Sequence, residues 1–160
     1  MRIHCVAALA FALATPALAG DCGAWKASIE QDEGGPTMTA SICSSDRPDD
    51  VLLITCGGED KIGLRLVPAV GDDFPPHGDM NYKAPFVFSS GLLSAEVTLH
   101  YEAMDGVMAA TPRRDSELVR ILKSEGPLTV TDKTGTLPAA TFQLKGSSKA
   151  IGKVERACYS

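Results

Sequence analysis

The sequence predicts a mainly β fold, an antiparallel β-sandwich or open barrel with two short helices, stapled by disulfides. Short runs in which apolar and polar residues alternate recur along the 160-residue chain, and this alternation is typical of half-buried strands. Turn residues (Gly, Pro and Asp) separate these runs at intervals of about 8–12 residues. An even number of cysteines follows the first nineteen residues, which is typical of small exported domains.

The first nineteen residues have the pattern of a secretory signal peptide. Arg2 precedes a continuous apolar run from Cys5 to Ala14, and Ala17-Leu18-Ala19 forms a small-residue cleavage site. The apolar run is shorter than the ~20 residues that a transmembrane helix needs. We therefore predict a signal peptide over 1–19 and a single β-rich domain over 20–160, periplasmic or secreted, with no membrane insertion after cleavage.

Four cysteines remain in the predicted mature chain, and an even number in an exported domain predicts two disulfides. The cysteines are Cys22, Cys43, Cys56 and Cys158. Four cysteines allow three pairings, of which we favour the first with the second and the third with the fourth. The first bond would join two neighbouring strands, and the second would fix the C-terminal segment to the middle of the sheet. Structural zinc favours close pairs of cysteines, which are absent here, so no metal is expected.

The first half of the domain predicts two hairpins. The alternating runs Trp25–Gln31 and Thr37–Cys43 flank a Gly-Gly-Pro turn. Val51–Cys56 and Lys61–Val67 flank a Gly-Gly turn. Val51–Cys56 is apolar without alternation, which predicts a strand that is buried on both faces or central in the sheet.

The second half predicts a third hairpin and both helices. Leu92–Ala103 places Val97, Leu99 and Tyr101 on one face, and Asp105-Gly106 is a strong hairpin turn. The remaining predicted strands are Pro85–Ser89, Val107–Ala110, Leu128–Thr131 and Ala140–Lys145. The helices are predicted at about 112–124, with Thr111 as N-cap and Pro112 in the first turn, and at 147–157.

The order of motifs from Val97 to Tyr159 resembles the C-terminal pattern of two groups of small exported proteobacterial proteins. A D-G hairpin, the helix S-E-L-V-R-I-L-K and the strand G-P-L-T-V-T-D precede A-T-F-Q-L-K-G-S-S-K-A-I-G-K-V and a terminal A-C-Y. These groups are the invasion-associated locus B family and the VasI-type accessory proteins of type VI secretion. The upstream L-x-I-T-C (Leu52–Cys56), with Cys158, is similar to the VasI pattern. The resemblance implies a periplasmic or secreted β-sandwich with an envelope or host-interaction role, and it brings no catalytic residue.

The candidate binding residues lie in one proline-rich loop. Asp72, Asp73, His77 and Asp79 combine carboxylates with an imidazole, which are ligands for divalent cations. The spacing of a calcium-binding EF-hand is absent, and we favour a solvated, proline-stiffened loop over a metal site. On the predicted strand 92–103, His100 between Glu96 and Glu102 is the alternative acid–base group. No nucleophile motif accompanies it, so no catalytic residue is expected.

A formal charge of −5, a pI near 5.1 and the absence of a basic run argue against nucleic-acid binding. The expected function is that of an exported, non-enzymatic envelope or host-interaction protein, without a cofactor, that binds a protein or other envelope macromolecule. One alternative is a periplasmic inhibitor of a lysozyme-type enzyme, in which the loop Pro68–Ala84 enters the active site. Another is a type VI secretion accessory protein.

Overall fold

The computed structural model describes residues 22–32, 34–71 and 73–159. In this part of the chain nine strands form a single sheet, accompanied by two α-helices. The strands are β1 (Lys26–Asp32), β2 (Gly35–Cys43), β3 (Val51–Cys56), β4 (Ile62–Val67), β5 (Lys83–Ser90), β6 (Leu93–Glu102), β7 (Val107–Ala110), β8 (Pro127–Asp132) and β9 (Ala140–Gln143). The helices are α1 (Glu117–Leu122) and α2 (Ser147–Cys158). The predicted signal peptide lies outside the described residues.

The sheet order is β1-β2-β3-β4-β7-β6-β5-β8-β9, and every neighbouring pair is antiparallel. The loop after β2 joins the far edge of this sheet: Ser45 N donates to Thr141 O at 2.8 Å, and Thr141 N donates to Asp46 Oδ1 at 2.8 Å. The mainly β prediction is confirmed. The fold is a single continuous open sheet, in which the loop after β2 is hydrogen-bonded to the edge strand β9.

One hydrophobic core fills the inside of the sheet. Alternate residues of the strands point into it, as the pleat requires, among them Phe86, Phe88 and Leu99, which are fully buried. Helix α2 packs against β1, β2 and β3 with Ala150, Ile151 and Val154. Helix α1 packs against β5 and β6 through four buried residues, Leu118, Val119, Ile121 and Leu122. Each helix therefore buries one apolar face against the sheet.

Two disulfides close the framework. Cys22 is bonded to Cys43 at the end of β2, and Cys56 at the end of β3 is bonded to Cys158 in the last turn of α2. The favoured pairing is thus confirmed. Two disulfides are consistent with an oxidising extracellular or periplasmic environment. In the part of the chain that the structure describes, no helix is long and apolar enough to cross a membrane.

Two details differ from the sequence predictions. Helix α1 begins at Glu117, with Ser116 as N-cap, because the preceding residues follow the sheet: Ile62 N donates to Pro112 O, and Arg113 forms a β-bridge with Lys61. Strand β3 is central, as predicted, but its burial alternates. Only one face of β3 lies in the core, so its second apolar row is half-buried on the outside of the sheet.

Candidate functional site

Four connections meet at one end of the sheet, which we call the loop end. They are residues 44–50 between β2 and β3, 68–82 between β4 and β5, 103–106 between β6 and β7, and 133–139 between β8 and β9. The register places them together because Val51 pairs with Val67, and Met108 pairs with both Leu66 and Tyr101. The loop that the sequence singled out is therefore one part of a larger surface.

Hydrogen bonds join these loops to one another. Asp50, which is buried, accepts from Ala69 N at 2.5 Å and from Arg47 Nε at 2.6 Å. Tyr82 Oη lies 3.1 Å from Thr134 Oγ1, which connects the loop 68–82 to the turn after β8. These contacts hold the backbone of the loop end in place while leaving its outer side chains in solvent.

An aromatic cluster anchors the loop 68–82. The ring of Phe74 meets Tyr82 and Tyr101 edge to face, with centroid distances of 5.8 Å and 5.4 Å. Tyr101 N also donates to Tyr82 O at 2.8 Å, so the end of the loop is tied to β6. Within the loop, Gly78 N donates to Pro75 O at 2.9 Å. No pattern in the sequence predicts this cluster, because only the fold brings Phe74 and Tyr101 together.

Three of the four predicted binding residues are described, and all three are exposed. Asp79 Oδ1 accepts from Asn81 N at 2.9 Å, which stabilises the local turn. His77 has φ 58° and ψ 18°, in the left-handed region that residues other than glycine rarely occupy. Asp73 lies on the outer surface of the same loop. Asp72 lies outside the described residues.

These side chains do not converge as metal ligands do. Among the described residues, no three His, Cys, Asp or Glu side chains are grouped so that they could hold a metal ion. The favoured interpretation, a solvated loop without a metal ion, stays a prediction from the sequence.

The loop end is strongly acidic. In sequence, its four connections contain seven aspartates against one arginine and one lysine, so their net formal charge equals the −5 of the whole chain. The pKa of Asp46 is lowered, first by the hydrogen bond from the Ser44 hydroxyl and then by the one from Thr141 N, so this carboxylate stays ionised at neutral pH. Among the described residues, three large apolar side chains are exposed on the same surface: Val70 is 39% exposed, Met80 is 62% exposed and Met104 is 94% exposed.

The alternative acid–base group does not come together as a unit. Glu96 is ion-paired with Lys133 at 2.9 Å. Glu102 lies 3.4 Å from His100 Nε2 and 2.9 Å from Arg65, so a permanent cation shares its carboxylate. His100 therefore lies next to a single acid that also serves a structural ion pair.

The fold and this surface define a disulfide-stapled β protein whose loops form an acidic, pre-formed face. Comparison with protein-family models, with curated proteins and with solved structures found no match. The resemblance of residues 97–159 to the locus B and VasI-type proteins stays a prediction from the sequence.

Proposed function

We propose that this protein is an exported, non-enzymatic binding protein that captures a basic protein surface with its loop end. The concentration of the chain's net negative charge in the four loops at one end of the sheet carries this proposal. Export is supported by the pattern of residues 1–19 and by the two disulfides.

The rigidity of the loop end favours binding over a purely structural role. Loops tied by Asp50, Tyr82 and Phe74 are ordered before a partner arrives, so less conformational entropy is lost on association. The aspartates would attract a basic partner and orient it, while an exposed apolar side chain such as Met80 supplies contact area.

The resemblance to the locus B and VasI-type proteins supports an envelope or host-interaction setting for this binding. An accessory role in type VI secretion is one form that such binding could take. In both cases the protein would act through its binding surface and would catalyse no reaction on its partner.

A second candidate is an inhibitor of a lysozyme-type enzyme. The loop 68–82 favours it, because this loop is anchored at its base by Phe74 and Tyr82 and exposes Met80 at its surface. A lysozyme activity assay with the purified, oxidised protein tests this candidate. Unchanged lysis at a stoichiometric excess of the protein would remove it.

The experiment for the main proposal is capture of partners from envelope extract, followed by mass spectrometry. The bait proteins are the wild type, the double variant Asp73→Asn/Asp79→Asn, and Met80→Ser. Asparagine keeps the Oδ1 acceptor that Asn81 N needs, so the turn is retained while two charges are removed. Leu92→Ser is the matched control, because Leu92 is fully exposed in the β5–β6 turn at the opposite end of the sheet.

We expect the wild type and Leu92→Ser to recover the same basic protein, with both loop variants recovering less of it. Raising the salt concentration should weaken capture by the wild type, because exposed charges are screened. Equal recovery by the loop variants and the wild type, or recovery of an acidic partner, contradicts the proposal.

A further inference from the structure

A second surface lies at the end of the sheet opposite the loop end, where α2 begins. A cavity of about 800 Å³ is lined by residues 123–126, between α1 and β8, and by residues 143–149, around the start of α2. Gly146 is the N-cap residue of α2, with φ 82°, and it has no side chain to close the helix end. The first N–H groups of this twelve-residue helix, which include those of Ser148 and Lys149, are therefore available for an acceptor.

A buried polar side chain without a partner lies in the wall of this cavity. Ser147 is fully buried, and its Oγ makes no hydrogen bond with the part of the chain that the structure describes. Trp25 is also buried, and its Nε1 makes no hydrogen bond with the described part of the chain. Trp25 lines an adjoining groove, and Gly146 and Lys149 line both this groove and the cavity. The Ser147 hydroxyl and the Trp25 indole can both donate a hydrogen bond, and buried polar groups are rarely left unsatisfied.

The charges around the cavity favour an anion. Three lysines line it, Lys123, Lys145 and Lys149, against one carboxylate, Glu125. Lys123 Nζ lies 2.6 Å from Glu155 Oε1, so the other two are the lysines that remain to meet a ligand. Lys149 stands in the first turn of α2, where no acidic residue is present and where a cation opposes the helix dipole. A bound anion would offset the unfavourable interaction between the Lys149 charge and the helix dipole.

We propose that this cavity binds a phosphate group, either as the free anion or as the phosphomonoester of a sugar. A phosphate presents several acceptor oxygens, which match the helix N–H groups, the Ser147 hydroxyl and the lysine ammonium groups. The cavity is larger than a phosphate ion and leaves room for an organic substituent. This site does not depend on the acidic loop end, so each proposal can fail without the other.

The test is a titration of the oxidised protein with inorganic phosphate and, separately, with glucose 1-phosphate, followed by the NMR signals of the backbone amides. We expect the signals of Ser148 and Lys149 to shift in a saturable way, with the signals of the loop end unchanged. Tighter binding of the sugar phosphate would identify the phosphomonoester as the ligand, and equal binding would identify the free anion. No saturable shift with either probe at about 10 mM would overturn the proposal.

Two variants and a control locate the site. Ser147→Ala removes the unpartnered hydroxyl, and Lys149→Gln removes one charge. Lys83→Gln removes the same charge at the start of β5, outside the lining of both the cavity and the adjoining groove. We expect each of the first two variants to weaken binding about tenfold and the control to change it less than about twofold.

The thermal unfolding midpoint of Ser147→Ala should be no lower than that of the wild type, since the deleted hydroxyl has no partner among the described residues. Equal weakening by Lys149→Gln and Lys83→Gln would show a general charge effect instead of a site. A Ser147→Ala variant that binds phosphate normally would also contradict the assignment.

Discussion

His77 is the one described residue other than glycine with a positive φ, and its side chain is exposed. A left-handed conformation costs an L-residue about 1–2 kcal/mol, whereas glycine adopts it freely but loses more entropy on folding. We therefore expect His77→Gly to leave the free energy of unfolding unchanged or to raise it by at most ~1 kcal/mol in urea denaturation. If His77 contacts the partner, the same variant should lower capture.

The neighbouring Gly78 supplies the control for this prediction. It has φ 67°, and a Cβ added there would meet no atom within 4 Å, so Gly78→Ala adds backbone strain and no steric clash. We expect Gly78→Ala to lower the free energy of unfolding by about 1 kcal/mol. A loss of unfolding free energy for His77→Gly as large as that for Gly78→Ala would instead mean that the imidazole packs against the fold.

Asp46 makes stability depend on pH. Its pKa is lowered in the folded state by the Ser44 hydroxyl and by Thr141 N, so its contribution is fully present above the unfolded pKa and is lost as the pH falls through the folded pKa. At neutral pH, we expect Asp46→Ala to lower the free energy of unfolding by about 1 kcal/mol, a value reduced by the solvent exposure of the carboxylate.

Urea denaturation of the wild type and Asp46→Ala as a function of pH checks this prediction. The difference in unfolding free energy between the two proteins should shrink as the pH falls below the ordinary aspartate pKa, 3.8. Asp49→Ala is the control, since Asp49 is an exposed carboxylate of the same loop. If this difference in unfolding free energy stays constant at the lowest pH measured, the charge of the carboxylate does not stabilise the contact between β9 and the loop after β2.

At the residue scale, the sequence predicted what local pattern and composition determine. The cysteine pairing followed from one hairpin, because the strands on either side of a turn bring Cys22 close to Cys43. The polar loop residues were found because Asp and His carry recognisable chemistry. The contact of Phe74 with Tyr101 could not be predicted, since it depends on which strand follows β4 in the sheet.

At the scale of single elements, the predicted start of α1 was wrong because two residues near it can serve as an N-cap. Thr111 followed by Pro112 has the pattern of an N-cap, but Ser116 is the actual cap and accepts from Val119 N. Ser116→Ala should lower the free energy of unfolding by about 1 kcal/mol, because a helix N–H then loses its acceptor. Thr111→Ala should change it by less than about 0.5 kcal/mol, as is usual for exposed sites.

Thermal or urea unfolding of these two variants separates the two positions. An equal loss for both would mean that the residues before α1 contribute through their pairing with β4, where Pro112 O accepts from Ile62 N, as much as the cap does. A larger loss of unfolding free energy for Thr111→Ala would instead support Thr111 as the N-cap, as the sequence predicted.

The same contrast between local and distant contacts explains which elements were predictable. The hairpins β1–β2 and β3–β4 pair strands joined by short turns, and alternation with turn chemistry is enough to identify them. The pairings β4–β7 and β5–β8 join strands separated by long stretches of chain, so no local pattern encodes them. The acidic loop end exists only because of these distant pairings, although the aspartates of its two richest loops, 44–50 and 68–82, are visible in the sequence.

At the scale of the whole molecule, the two disulfides constrain the unfolded chain to different extents. They join residues 21 and 102 positions apart. In a chain-entropy treatment, a short loop of this kind is worth about 3 kcal/mol and a loop of ~100 residues about 4.7 kcal/mol. We expect Cys56→Ser/Cys158→Ser to lower the free energy of unfolding by ~1–2 kcal/mol more than Cys22→Ser/Cys43→Ser, measured by urea denaturation without reductant.

Contacts around the C-terminus give this prediction a check that is independent of the bond itself. Tyr159, next to Cys158, donates to Lys61 O, and the guanidinium of Arg114 lies 4.1 Å from the centre of its ring. If these contacts rather than the disulfide held α2 against β3, Tyr159→Ala would destabilise the protein as much as removing the bond. We expect a smaller loss, because the disulfide restricts the unfolded chain over most of the domain. A titration that found four free thiols in the folded, unreduced protein would contradict both the bonding pattern and this argument.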